Sequence, residues 1–259
     1  MKAIAENPLS VAIITLNEEN MLPDGLRSVA FADEVVVVDS GSTDNTVALA
    51  QQHGARVITE PWRGFGPQKQ FAIDQCRNSW VLVLDADERI PAETATEIIS
   101  LLSNTMQFEA YSFPRVNFFT GRLIRHGSWG NDRVVRLFNK TTCKMSSRMV
   151  HESVEVTGPV GNARNAILHY TRQSLQQTLD KINEYSSLGA QELFRNGRKA
   201  SVIKALLNGM WAFTSNYFIR LGFLDRSPGL IIAASEGMYT FFKYAKLMEL
   251  HEQKKRIDG

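Results

Sequence analysis

Two aspartates, Asp85 and Asp87, lie at and just beyond the end of an apolar run, Val81–Leu84. Alternate side chains of a β-strand point to the same face, so both carboxylates are predicted to project together from the strand's carboxyl end. Open α/β sheets bind their ligands at that end. Two carboxylates there suit Mg²⁺ or Mn²⁺, which can in turn hold a diphosphate. The plain alternative is a strand followed by an acidic turn.

A second apolar run has the same kind of ending. Val35–Val38 is followed by Asp39, Ser40, Gly41 and Ser42. Two strands that both end in aspartate favour a ligand site over an acidic turn.

The elements that must position these aspartates alternate between strand and helix. Alternation at this spacing indicates βαβ units and a parallel sheet, and the uninterrupted apolar strands indicate helices on both faces. Shorter strands follow residue 108, and the pattern from Ser174 onward is helical. The sequence predicts strands at 11–16, 35–38, 56–58, 80–84, 111–117, 133–139, 152–156 and 166–170, and helices at 21–30, 46–53, 66–76, 91–103, 174–196, 200–221 and 228–250.

The amino-acid composition limits the classes of protein to which the chain can belong. The 259 residues are 44% hydrophobic and 22% charged, which is typical of one large globular domain or a domain with an appendage. Cys76 and Cys143 are too few for a disulfide framework or a zinc cluster, so we expect buried free thiols in a reducing compartment. The N-terminus lacks the apolar core of a signal peptide, and no window of 18 apolar residues exists. These features predict a cytoplasmic protein.

Basic charge is concentrated in the last third of the chain. Residues 1–171 carry 16 basic and 19 acidic side chains, whereas residues 172–259 carry 13 and 8. The asymmetry suggests a surface partner. The basic residues accompany no recognisable RNA or DNA module, so nucleic acid is not expected as a partner. We place the domain boundary between residues 171 and 172.

Three motifs in order, Thr15–Glu19, Val38–Thr46 and Asp85–Glu88, resemble those of the inverting family 2 glycosyltransferases. The resemblance implies the GT-A fold, a Rossmann-like and mostly parallel sheet with flanking helices, here with a C-terminal helical appendage. Later segments resemble the subgroup that adds glucose to the lipopolysaccharide inner core. These segments are Trp129-Gly130, Arg133, Arg136–Phe138, Val150–Glu152, His169-Tyr170 and Gly222–Asp225.

The resemblance implies a UDP-sugar site with a divalent metal, Mg²⁺ or Mn²⁺. Asp39 is expected to accept a hydrogen bond from the nucleotide base. Asp87 is expected to bind the metal, with Asp85 reaching the ribose, the metal or a metal-bound water and His169 completing the metal site or packing in its strand. The other residues expected to contact the donor are Thr15, Leu16, Asn17, Glu18, Ser40, Lys69 and Arg136.

An inverting transfer needs a general base for the acceptor hydroxyl. We favour Glu152, beside His151, and keep Asp132 as the alternative; many relatives have a Glu-Asp pair where this chain has His-Glu. Arg133 is a candidate for binding a diphosphate or an anionic acceptor, and would share a strand face with Arg136 only if a bulge intervenes. Trp129 either stacks on a sugar ring or packs in the core.

The expected reaction transfers a hexose, with glucose favoured, from a UDP-sugar to a lipid-linked saccharide such as lipopolysaccharide core. Aromatic and basic residues alternate along the C-terminal helices, as in helices at an inner-leaflet membrane surface, although a helical hairpin packed on the sheet fits equally. Two other functions stay open. A sugar-nucleotide nucleotidyltransferase should carry a Gly-rich, Arg-containing loop where Asn17–Asn20 stands, and a non-catalytic saccharide- or membrane-binding relative should lack Asp85 and Asp87.

Overall fold

A computed structural model describes residues 7–104, 106–146, 153–172 and 174–258 of the chain. The chain divides into two compact units. Residues 1–116 and 132–169 make up the first, and residues 117–131 and 170–259 the second. The second unit therefore adds residues 117–131 to the predicted helical region, and the predicted boundary at 171/172 stays a prediction.

The first unit is built on a sheet whose first four strands are parallel. The strands are β1 (Leu9–Thr15), β2 (Glu34–Asp39), β3 (Arg56–Thr59) and β4 (Trp80–Asp85), and the helices are α1 (Leu22–Ser28), α2 (Thr46–Gln52), α3 (Phe65–Gln75) and α4 (Ala92–Leu102). The strand order is β3-β2-β1-β4, and most apolar side chains of β1, β2 and β4 are buried on both faces, as the uninterrupted apolar runs predict. The edge strand β3 is only partly buried. The predicted α/β fold class is confirmed.

Antiparallel strands extend this sheet beyond β4. The further strands are β5 (Glu88–Arg89), β6 (Ala110–Phe119), β7 (Arg122–Ile124), β8 (Asp132–Asn139), β9 (Lys144–Met145), β10 (Val154–Glu155), β11 (Val160–Asn162) and β12 (Ile167–Arg172). Strand β8 is antiparallel to both β4 and β6, and β12 is antiparallel to β5, whereas β11 is parallel to β6. Strands β9 and β10 form a separate two-stranded sheet.

A β-bulge interrupts β8 at Arg136. Tyr111 on β6 lies opposite Leu137, but the next residue, Ser112, lies opposite Val135. Arg136 is therefore the extra residue of the bulge, and a bulge re-aims the side chain of its strand. A bulge at this place is the condition under which Arg133 and Arg136 were expected to share a strand face.

The second unit is mainly helical. Helix α6 is shorter than the predicted helix 200–221, because the backbone becomes π-helical over Ser215–Ile219 and then breaks at Leu221, whose φ is +59°. Helix α7 is longer than predicted at both ends. The helices are α5 (Leu175–Arg195), α6 (Val202–Thr214) and α7 (Arg226–Asp258), with 3-10 turns at Gly127–Trp129 and Gly222–Asp225.

Trp129 packs within the second unit. Its ring meets that of Phe119 edge-on, with centroids 6.1 Å apart, and it borders a cluster of Phe119, Ile124 and Ile232. Its carbonyl accepts a hydrogen bond from the Asn117 amide at 2.8 Å. These contacts favour the packing role over sugar stacking.

Among the residues that the structure describes, no helix combines the length and the apolar character that a membrane span requires.

Candidate active site

The predicted aspartates meet at one edge of the sheet. Thr15 at the end of β1 is in register with Asp39 at the end of β2, and the adjacent Ile14 is in register with Asp85 at the end of β4. Because all three strands are parallel, their carboxyl ends and the loops that follow lie side by side. This edge is where open α/β sheets bind ligands.

The loops after β1 and β2 are clamped together by the motif residues themselves. The Asn17 backbone N–H donates to Ser42 Oγ at 2.8 Å, and the Thr43 N–H donates to Asn17 Oδ1 at 2.8 Å. Asn17 has a φ of +55°, a left-handed conformation that asparagine tolerates better than most residues. The Glu19 N–H donates to Asp44 Oδ2 at 3.2 Å. Asn17 therefore has a structural role whatever it contributes to a base pocket.

Asp44 anchors the second half of this clamp. Burial opposes its ionisation, but hydrogen bonds from the Thr46 hydroxyl, the Thr46 N–H and the Glu19 N–H outweigh it and lower the pKa of Asp44. The Glu18 N–H donates to the same Thr46 hydroxyl at 2.8 Å. A charged Asp44 thus links the start of α2 to the loop after β1.

Asp39 is almost fully buried, and its carboxylate holds the loop that follows it. Oδ2 accepts from the backbone N–H groups of Gly41 and Ser42, each at 2.9 Å, and Oδ1 accepts from the Ser42 hydroxyl. Gly41 has a φ of +100°, which a side chain would strain. Ser40 Oγ accepts from Gln68 Nε2 at 3.2 Å. A carboxylate has about four acceptor sites. The three hydrogen bonds that Asp39 accepts from Gly41 and Ser42 therefore leave it room for one further donor.

The remaining members of the expected base pocket differ in exposure. Leu16 is 50% exposed at the start of the loop, so its side chain is available to a ligand. The Thr15 hydroxyl is buried and has no hydrogen-bond partner among the described residues.

Asp85 is held between two buried cations. Lys69 Nζ lies 2.6 Å from Asp85 Oδ1, and Arg136 Nη2 lies 2.5 Å from Asp85 Oδ2. The same Arg136 nitrogen lies 2.6 Å from Oε1 of Glu88, which is fully buried. The bulge at Arg136 and helix α3, which carries Lys69, therefore deliver both cations to the end of β4.

The two cations fix the charge state of Asp85. Burial opposes ionisation of Asp85, but Arg136 and Lys69 outweigh it and hold the pKa of this carboxyl well below its usual range. Burial also opposes the charge on Arg136, but Asp85 and Glu88 reverse that effect and raise the pKa of Arg136. Both oxygens of Asp85 are bound to cations, which argues against direct metal ligation by Asp85.

The ion network continues to Asp132, the alternative base. Arg115 lies 3.4 Å from Glu88 Oε1, and its Nε donates to Asp132 Oδ2 at 2.7 Å. Arg115 Nη2 lies 2.5 Å from the same oxygen. One oxygen of Asp132 is therefore occupied by a guanidinium, which argues against its acting as a free base.

Among the described residues, Arg133 binds backbone carbonyl oxygens and not a side chain of the candidate UDP-sugar site. Its Nη2 donates at 2.9 Å to the carbonyl oxygens of both Ser112 and Ala163. The expectation that Arg133 binds a diphosphate or an anionic acceptor has no support in this geometry. Glu152 and His151 lie outside the described residues.

Asp87 and His169 are brought together from distant parts of the sequence. His169 on β12 is in register with Glu88 on β5, and this pairing leaves His169 Nε2 3.5 Å from Asp87 Oδ2. Both side chains are partly exposed, at 13% and 18%. A carboxylate and an imidazole are suitable ligands for Mn²⁺. Asp87 and His169 therefore fit a divalent metal.

Within the described part of the chain, no group of three His, Cys, Asp or Glu residues is arranged to hold a metal. Sites that bind Mg²⁺ for nucleotide chemistry commonly use one or two protein ligands and complete the set with substrate phosphates and water. Asp87 and His169 match that kind of partial site.

Sequence reasoning missed Glu88 and Arg115 as members of the site. Glu88 enters the sequence analysis only as the last residue of the Asp85–Glu88 motif, and Arg115 only as part of a strand. Both residues are charged and lie in segments that had to be buried. Because buried charges must be paired, this was the signal that could have identified them as members of an ion network.

The sequence is similar to one known family over more than half of its length. The sequence model of Glycosyl transferase family 2 matches residues 10–156. The lipopolysaccharide core biosynthesis glycosyltransferase LpsC of Rhizobium meliloti is 32% identical, over 98% of this chain and 96% of that protein. An uncharacterized glycosyltransferase of Rickettsia typhi is also 32% identical, over 96% of this chain and 89% of that protein.

Among solved structures, the likeness is partial. Glucosyl-3-phosphoglycerate synthase from Mycobacterium tuberculosis, in complex with Mn²⁺, uridine-diphosphate-glucose and phosphoglyceric acid, is 25% identical. The match covers 45% of each chain with a TM-score of 0.36.

Replacing Arg136 by methionine should destabilise the protein severely, because it leaves Asp85 and Glu88 buried without their shared cation. Removing one partner of a buried pair costs about 3–5 kcal/mol, and we expect a loss of unfolding free energy of this size in urea denaturation. The control is Arg122→Met at an exposed position on β7, for which a change within about 0.5 kcal/mol is expected. Equal stability of the two variants would contradict the ion network.

Proposed function

Because the chain belongs to Glycosyl transferase family 2 and is therefore a glycosyltransferase, we propose that it transfers glucose from UDP-glucose to a lipid-linked saccharide, with inversion at the anomeric carbon. The observation that carries the proposal is the pairing of β1 with β2 and β4, which brings Asp39 and Asp85 to one sheet edge. Lys69 and Arg136 bind Asp85 there, and Asp87 follows two residues later.

In the proposed donor site the nucleotide lies over the ends of β1 and β2. Asp39 has capacity for one more donor, which suits the N3–H of uracil. Leu16, exposed at the loop, offers an apolar surface for the base. Asn17 and Glu18 keep the loop in place through the bonds to Ser42 and Thr46 and line the ribose side of the pocket.

The charges at this edge support a divalent cation as cofactor. Lys69, Arg136 and Arg115 are matched by Asp85, Glu88 and Asp132 within one network, and Asp87 adds a further negative charge beside it. A diphosphate would meet no net positive charge from these side chains. Asp87 and His169 are the proposed protein ligands, and the ion, when bound, would stabilise charge on the leaving diphosphate as a Lewis acid.

The acceptor is proposed from the similarity to a lipopolysaccharide core glycosyltransferase along almost the whole chain. Such an acceptor is a saccharide attached to lipid. We therefore propose a cytoplasmic enzyme that works as a peripheral protein at the inner-leaflet membrane surface.

In the proposed reaction, Glu152 takes the proton from the acceptor hydroxyl. The acceptor oxygen then bonds to the anomeric carbon as the bond from that carbon to the diphosphate oxygen breaks, and UDP leaves with the electron pair. Glu152 is preferred over Asp132 because Arg115 already occupies Asp132 Oδ2 with two N–H donors. Lys69 and Arg136 keep Asp85 charged and fixed throughout.

The proposed function is tested by UDP release from a panel of UDP-sugars with lipid-linked core saccharide present, in Mn²⁺, Mg²⁺ or EDTA. We expect one sugar, UDP-glucose, to be turned over in the presence of metal. Asp87→Ala should lower the rate by roughly 100-fold or more, as for other losses of transition-state charge stabilisation. The control is Asp74→Ala, an exposed aspartate of α3, which should behave as wild type.

Turnover that neither EDTA nor Asp87→Ala reduces would contradict the metal site. If the protein turns over no UDP-sugar at all with acceptor present, the proposed donor is wrong, and a non-catalytic saccharide-binding relative becomes the better description.

The assignment of the base is tested by comparing Glu152→Gln with Asp132→Asn. Glutamine keeps the shape of Glu152 but cannot take the proton, so kcat should fall by about 10²–10⁴-fold, whereas the affinity for UDP-glucose measured by calorimetry should be preserved. Asp132→Asn should retain most of its kcat. The reverse pattern, with activity lost only in Asp132→Asn, would transfer the role to Asp132.

A further inference from the structure

The second unit exposes large apolar side chains along helix α6. Six residues of this 13-residue helix are between 48% and 69% exposed. Successive members are one and three residues apart, so they form one broad outward face. This outward face consists of Val202, Ile203, Leu206, Leu207, Met210 and Trp211.

The inward face of α6 carries small residues instead. Ala205 and Gly209 are its buried members. A Cβ placed on Gly209 would lie 3.1 Å from both the Gly237 carbonyl oxygen and Phe241 Cβ of α7, so the two helices approach closely at this point. A helix in water normally buries its large apolar residues. Small residues between closely packed helices, with large residues outside, are typical of helices in contact with lipid.

The apolar surface continues through the turn that follows α6. Phe218, Ile219 and Leu224 are 55%, 60% and 51% exposed. The turn includes Leu221, whose φ of +59° is costly for a leucine. This conformation persists only where other contacts hold it.

Those contacts are made within the second unit. Asp225 Oδ2 accepts from the backbone N–H groups of Arg125 and His126, at 3.1 and 2.7 Å. The Gly127 N–H donates to the Arg220 carbonyl oxygen at 2.8 Å. The exposed apolar turn is therefore fixed in place by hydrogen bonds at both of its ends.

The segment of chain that carries this surface has charged side chains of a single sign. Residues 193–224 contain five basic side chains and no acidic one. All five are exposed, three before α6, one in its first turn and one after the π-helical segment. They are Arg195, Arg198, Lys199, Lys204 and Arg220. Basic residues beside exposed apolar ones are complementary to anionic lipid head groups.

We propose that the outward face of α6, with the turn at residues 215–224, inserts into the interface of a bilayer that contains anionic phospholipid. A helix of 13 residues is about 20 Å long, shorter than the roughly 30 Å hydrocarbon core, and so would lie along the surface. The inference rests on the proposed function, because it names the surface with which the enzyme would reach a lipid-linked acceptor. Its test measures membrane binding, so the inference can fail while the transferase activity stands.

The test is co-sedimentation of the full chain with vesicles of phosphatidylcholine containing a quarter phosphatidylglycerol. We expect binding that weakens about tenfold or more in Leu207→Gln/Trp211→Gln, which removes two large side chains from the outward face. Lys199→Gln/Arg220→Gln should weaken binding to the anionic vesicles by a similar factor, but should not change weak binding to pure phosphatidylcholine. Release of UDP by these variants from UDP-glucose without acceptor should be unchanged.

The matched control is Leu179→Gln, an exposed leucine on α5, which should bind vesicles like wild type. Wild-type protein that does not bind anionic vesicles would overturn the proposal, as would an equal loss in Leu179→Gln. A dimer in sedimentation velocity that Leu207→Gln/Trp211→Gln converts to monomer, without vesicle binding, would assign the outward face to a second copy of the chain instead. Circular dichroism confirms that each variant is folded.

Discussion

The candidate site depends on the clasp of Asp85 between Lys69 and Arg136. A lone charged carboxylate in this position would be costly to bury, and two buried cations alone would be more so. Together the three fix the end of β4 against α3 and the bulge of β8. Glu88 shares Arg136, so the turn that carries Asp87 is held on both sides. The geometry of Asp87 therefore follows from charges that need not touch the substrate.

The sequence predicted the parallel half of the sheet well, because its physical signals are local. Uninterrupted apolar runs identified the strands, and the aspartates Asp39 and Asp85 identified their ends. The structure places both at the carboxyl edge, in register with the end of β1. The helices of the second unit were also predicted, but the length of α6 was not. Its end is set by the change to π-helical backbone at Ser215–Ile219 and the break that follows at Leu221, which no local pattern indicates.

The contacts that complete the site arise from long-range pairing and could not be predicted in detail. Arg136 reaches Asp85 because a bulge displaces one residue of β8. The spacing of Arg133 and Arg136 in the sequence raised the possibility of a bulge but could not show that one exists. His169 reaches Asp87 through the pairing of β12 with β5, across some 80 residues of chain. Asn17 was interpreted through possible ligand contacts, whereas the structure first gives it a role in clamping two loops, a role that it shares with Asp44.

We propose that Lys69 and Arg136 balance the charge of the ionised Asp85 and so leave Asp87 and His169 to bind the metal. Calorimetric titration of Mn²⁺ into the protein with saturating UDP tests it most directly, with His169→Gln compared to wild type. We expect one Mn²⁺ per chain and an affinity about tenfold or more weaker in the variant, since an imidazole ligand is lost. Equal affinities for wild type and His169→Gln would contradict it.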